Sequence, residues 1–193
     1  MAGLVKPVNG SILNYIHVLF EWEQETGASS YYLQVSQGNN LIIEIEVSSL
    51  SFILDEDIDW ESFYSWKVRP NNSDSWIGPY TFFTGSAISN VEVIIHNENL
   101  YSPGLTIFSS FFNYYSAAFD QAGNEVWNTG QSAIVYYNTD YDGKLYGCWL
   151  NNNSDNNLPG IEFNLDGEFT WEEPNNEFLH HDLIQLPNGN YMG

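Results

Sequence analysis

The sequence predicts an all-β protein in two parts, a sandwich of short strands followed by repeated four-stranded units. Three observations carry this expectation: composition, alternation and recurrence. Aromatic residues make up 17% of the 193 positions and hydrophobic residues 43%, ample material for buried cores. Aromatic and β-branched residues punctuated by glycine and asparagine favour strands. No window sustains apolar positions three and four apart, so little helix is expected.

Alternation organises the first part. Phe20-Glu21-Trp22 sets two large aromatics on one face. Tyr31, Leu33 and Val35 alternate with Tyr32, Gln34 and Ser36, the two-residue period of a half-buried strand. Leu41, Ile43, Ile45 and Val47 do the same against Glu44 and Glu46. Tyr64, Trp66 and Val68 alternate with Ser65, Lys67 and Arg69. Short strands spaced in this way predict a sandwich. Trp60, Trp66 and Trp76 could stack on sugars, but aromatics on alternating strands serve core packing more often. Gly85-Ser86-Ala87 reads as a linker, dividing the chain into residues 1–85 and 86–193.

Recurrence organises the second part. Phe119, Asp120, Gly123 and Trp127 return as Phe163, Asn164, Gly167 and Trp171, each at an offset of 44. A second family of turns, Asp142-Gly143 and Asn188-Gly189, repeats at an offset of 46. Each glycine supplies the positive φ of a tight hairpin, and two hairpins make a four-stranded sheet. A repeat of roughly 40 to 50 residues built from four strands has the size of one propeller blade. The competing reading is a second sandwich with look-alike hairpins. Residues 91–193 have room for about two blades, whereas closed propellers carry about four to eight. An incomplete propeller in a truncated chain is therefore expected.

Charge narrows the functional classes. Against 25 acidic residues stand four basic ones, Lys6, Lys67, Arg69 and Lys144, giving a net charge of -21. Such a field repels phosphate backbones and anionic lipid, so neither nucleic acid nor membrane partners are expected. The lone Cys148 allows no internal disulfide and reads as a small core residue. Neither a signal peptide nor a transmembrane run is recognised within these residues, and an export address already removed ahead of Met1-Ala2-Gly3 is compatible with that start.

Few motifs carry chemistry. His180-His181-Asp182 is the sharpest. Read on a strand, adjacent histidines face apart, so one of them at most looks into a shared site. Such an imidazole binds anions or metals, or transfers protons. Asn138, Asp140 and Asp142 resemble half of a calcium loop, but Trp149 stands where the bidentate glutamate belongs, and a plain Asp-Gly hairpin is favoured. His17 and His96 sit among apolar neighbours and read as structural, and residues 151–157 read as a solvated loop. With no phosphate-cradling glycine loop, paired cysteines or Ser-His-Asp arrangement, no cofactor and no metal are expected.

Two resemblances attach to these strings. Pro7-Val8-Asn9-Gly10, Phe20-Glu21-Trp22, residues 28–36, Tyr64-Ser65-Trp66-Lys67-Val68 and residues 76–84 resemble a fibronectin type III module, usually a spacer or binding platform. Residues 91–193 resemble the arylsulfotransferase family, in Ser102 to Phe108, Phe119-Asp120 with Gly123 to Trp127, His180-His181-Asp182 and Leu186 to Tyr191. That resemblance implies a six-bladed propeller in an exported bacterial enzyme, periplasmic or extracellular. It moves a sulfuryl group from a phenolic sulfate ester to a phenol acceptor through a histidine. It places His180 and His181 near the propeller axis, with His181 favoured as the inward one, stabilising the sulfuryl oxygens. The nucleophilic histidine and an arginine are implied in later blades, so this piece alone is expected to be inactive. The rival reading is a non-catalytic secreted or cell-surface protein for adhesion or glycan binding. A quinone-dependent propeller dehydrogenase is a weaker third.

Overall fold

The structure, a computed structural model, describes residues 3–94, 97–100, 102, 104–151, 157–175 and 181–193. The chain divides into two compact units, Met1–Ser86 and Ala87–Gly193. Both are built of strands in several separate sheets, none closed, and no α-helix occurs among the described residues.

The first unit holds β1 (Leu4–Lys6), β2 (Ser11–Leu13), β3 (Val18–Trp22), β4 (Tyr31–Gln37), β5 (Asn40–Val47), β6 (Ser51–Leu54), β7 (Phe63–Pro70) and β8 (Ile77–Thr84). They form a three-stranded sheet, β1-β3-β6, and a five-stranded sheet, β2-β8-β7-β4-β5, in which β2 runs parallel to β8. The predicted alternation is present in β3, β4 and β7: Val18, Phe20, Trp22, Tyr31, Leu33, Val35, Tyr64, Trp66 and Val68 are buried. Phe20 of the smaller sheet meets Trp66 and Phe82 of the larger, with ring centroids 5.3 and 6.0 Å apart, so the two sheets share one aromatic core. Edge-to-face geometry suits the ring quadrupoles.

Buried hydroxyls in this core end on loop backbone. Tyr31 accepts from the Glu25 N–H at 2.7 Å and Tyr64 from the Asp59 N–H at 2.8 Å. Thr84, fully buried, donates to the Asp59 carbonyl at 2.6 Å. Each bond satisfies a polar group that would otherwise cost about 1–3 kcal/mol. Strand β5 departs from the expected alternation: Leu41 is exposed and Ile43 and Ile45 only half-buried, because β5 is the edge strand.

The second unit is a series of consecutive antiparallel meanders. β9 (Thr106–Ser110), β10 (Tyr115–Phe119) and β11 (Glu125–Asn128) form one sheet. β12 (Ile134–Thr139), β13 (Leu145–Trp149), β14 (Gly160–Phe163) and β15 (Phe169–Glu172) form a four-stranded sheet in chain order. β16 (Ile184–Gln185) pairs with β17 (Tyr191–Met192). The buried Glu125 carboxylate accepts from the Ile88 and Ser89 N–H groups and from Asn128, fastening the entering chain to β11.

The two sequence families of turns close equivalent hairpins. Glycines 123, 143, 167 and 189 all take positive φ, between 78° and 88°. Asp120, Asp140 and Asn164 each use Oδ1 to accept two backbone N–H groups, two and four residues on, at 2.8–3.0 Å. The fourth turn has Leu186 at the first position, and Asn188 supplies the carbonyl oxygen to Asn190 instead. This is a type I turn with a glycine bulge, a common hairpin closure.

Burial differs between the units. β11 and β14 are buried at every position, and β10 and β13 at all but one. Strands covered on both faces require a neighbour on either side of the sheet. Ser116 of β10 donates to Ile134 O at 3.0 Å and accepts from Tyr136 N–H at 2.8 Å, joining the first sheet to the second. Trp127 of β11 stacks on Phe163 and donates Nε1–H to Leu165 O at 2.7 Å. Trp171 of β15 stacks on Tyr191 of β17, centroids 3.7 Å apart, joining the second sheet to the third.

Candidate functional site

The sharpest sequence motif lies at the entry to β16. His181 is not on a strand: it sits in a bend with φ 69°, a left-handed conformation uncommon outside glycine. The expected opposition of neighbouring strand side chains therefore does not govern it. His180 lies outside the described residues, as does His96. Asp57, Glu61 and Tyr114 share a positive φ, so this conformation by itself does not set His181 apart.

Three elements form the surroundings of His181. Its exposed ring meets Phe111, just past β9, edge to face with centroids 5.2 Å apart. Phe111 in turn leans on Tyr137 of β12, 6.2 Å away. The Tyr137 hydroxyl is engaged by the Cys148 side chain of β13 and by the His181 backbone. Burial, reinforced by Cys148, pushes the Tyr137 phenol far above its usual range. Burial pushes the Cys148 thiol up to about 11, with the Tyr137 hydrogen bond opposing it. Both groups are thus protonated at neutral pH. Cys148 packs with Val135 and Leu158 and is no nucleophile.

Asp182 does not orient the imidazole. Its Oδ1 accepts from Asn138 Nδ2 at 2.6 Å and from Leu183 N–H at 2.9 Å, while Asn138 also donates to Leu183 O. Asn138 therefore ties β12 to the segment that leads into β16. Asp140 spends Oδ1 on its own turn and Oδ2 on the Tyr146 hydroxyl at 2.7 Å, and Asp142 lies in the same turn. The half calcium loop is a hairpin closure. Among the described residues, no group of three or more His, Cys, Asp or Glu could hold a metal ion.

A second polar centre joins β14, β15 and the last hairpin. Glu162, almost buried, accepts from Tyr191 OH and Thr170 Oγ1, both at 2.8 Å, and from Lys144 Nζ at 3.3 Å. Lys144 continues to Gln185 Oε1 at 2.7 Å. Burial opposes ionisation of Glu162, but the hydrogen bonds from Thr170, Tyr191 and Lys144 outweigh it and hold the carboxyl below its usual range. Burial and the Glu162 bond push the Tyr191 phenol up to about 12.

Three of the four basic residues are committed, the exception being the exposed Lys6 of β1. Lys144 is paired with Glu162, while Lys67 stands over the Trp76 ring at 4.5 Å and Arg69 over Tyr32 at 4.4 Å. Sequence reasoning singled out His181 but missed Phe111, Tyr137 and the Glu162 centre. The only signal for the latter was Lys144 standing alone in a strongly acidic half. No family model matches the chain, and no curated protein matches it.

Proposed function

We propose that the chain is part of an exported arylsulfotransferase-like enzyme, with residues 1–85 a fibronectin type III-like module and 86–193 its first propeller blades. The observation that carries this reading is burial on both faces of β11 and β14. A two-sheet sandwich leaves alternate residues in water, whereas a blade is covered by a blade on each side. The 44-residue recurrence and the equivalent turns add support. In the first unit, the strand order and the Tyr64 hydroxyl bonded five residues upstream fit the tyrosine corner of such sandwiches.

In this reading His181, held by Phe111 and a strained backbone, donates to a sulfuryl oxygen and stabilises developing charge. His180 is the alternative donor. The sulfuryl group leaves the ester oxygen of a phenolic sulfate for an imidazole nitrogen contributed by later blades, releasing phenolate. It then passes to the acceptor phenol, whose hydroxyl proton is lost.

Transfer from 4-nitrophenyl sulfate to phenol tests the reading. The 193-residue chain is expected to be inactive. The full-length gene product is expected to transfer, with His181→Ala lowering kcat by about 10²–10³-fold. Transfer by the short chain, or none by the full-length protein, would sink the proposal. The rival, a non-catalytic surface protein, draws support from the commitment of Lys67, Arg69 and Lys144 to rings and a carboxylate rather than to an anion site.

A further inference from the structure

We infer that the first unit carries a binding groove for a neutral saccharide beside Trp76. The groove, about 560 Å³, lies between the loop before β4 and the β7–β8 connection, with Glu25, Asn72, Ser73, Ser75 and Trp76 among its walls. Its volume falls in the range of about 300–1,000 Å³ usual for small-ligand sites.

The walls are fixed in advance. Asn72 Nδ2 donates to Thr26 O at 3.1 Å and Asn71 Nδ2 to Ser29 Oγ at 2.9 Å, pinning the connection to the opposite loop. Arg69 donates to Ser73 O at 3.2 Å from below. The Trp76 indole is steadied by Lys67 at 4.5 Å and Arg69 at 5.4 Å. Little ordering remains for binding to impose.

The chemistry of the walls selects the ligand. An indole offers an apolar ring to C–H groups and an N–H donor at its edge. Among the described residues, Trp76 Nε1 and Ser75 Oγ have no hydrogen-bond partner, and Asn72 Oδ1 remains available as an acceptor. Glu25 borders the groove, and the chain's charge of -21 disfavours anions. An aromatic wall with scattered hydroxyl and amide groups and no uncommitted cation fits a polyhydroxylated, uncharged chain. This inference is independent of sulfuryl transfer.

The test is a titration of the 193-residue chain with cello-, xylo-, malto-, laminari- and chitopentaose, followed by tryptophan fluorescence and amide chemical shifts. At least one sugar is expected to bind, with shifts confined to residues 25–30 and 70–78. Trp76→Ala is expected to weaken it by about tenfold or more, and Trp76→Phe, which keeps a ring but loses the N–H, by less. No binding across the panel at millimolar sugar, shifts mapping elsewhere, or equal affinity in a folded Trp76→Ala protein would each overturn the inference. Should Trp76→Ala fail to fold, the Trp76→Phe affinity and the shift map decide.

Discussion

Gly147→Ala is expected to destabilise the second unit by about 1–3 kcal/mol or more, a large effect for one methyl group. Gly147 lies in the middle of β13, opposite Tyr136 of β12 and Ile161 of β14. A Cβ there would collide with the Val135 carbonyl oxygen and crowd Tyr136 Cα. These are backbone atoms of a paired strand and cannot swing aside as a side chain could. A glycine inside a strand commonly marks such a close approach. Urea unfolding followed by fluorescence and circular dichroism would measure the loss. An unchanged midpoint would mean that β12 and β13 are not in this register.

Glu162→Leu is expected to cost about 1–3 kcal/mol, because it removes one acceptor on which three donors converge. Tyr191, Thr170 and Lys144 all direct their donors at this carboxylate. Glu162→Gln, which retains an acceptor, should lose only part of that. Lys144→Met should lose less than Glu162→Leu, since its side chain is 37% exposed and water screens the pair. The pH dependence follows from the lowered Glu162 pKa. The fold favours the ionised form, so the contribution is fully present above the ordinary value of 4.5 and is lost as pH falls through the folded value. Asp120 acts in the same direction: burial opposes ionisation, but bonds from Asn124, Ala122 and Gly123 prevail. Acid unfolding of wild type and Glu162→Gln should therefore converge at low pH. If the two curves run parallel throughout, Glu162 carries no such linkage.

The parts of the fold legible in the sequence were those governed by short-range rules. Alternation in β4 and β7 located Leu33, Val35, Trp66 and Val68 in a core because the two-residue period needs no knowledge of the partner strand. Gly123, Gly143, Gly167 and Gly189 marked hairpins because positive φ is a local demand. What escaped depended on pairing across distance. Nothing near Glu162 in the sequence announces Tyr191, which reaches it across 29 positions through two hairpins. His181 was assigned strand geometry from its neighbours, yet β16 begins only at Ile184 and the histidine occupies a left-handed bend. Phe111 and Tyr137 carry no sequence signal of their own, because their contact joins the turn after β9 to β12 across 26 positions.

The self-clamped hairpins have a consequence for engineering. At Asp120, Asp140 and Asn164 the bend is enforced by the first residue and the glycine, so the two residues between carry little conformational duty. Tyr141, wholly solvent-facing at 103% exposure, shows how freely such a tip can be spent. Tyr141 at the Asp140 tip is thus a natural site for substitution and labelling with a fluorophore, whereas at the Asn164 tip Leu165 must keep its carbonyl turned toward Trp127.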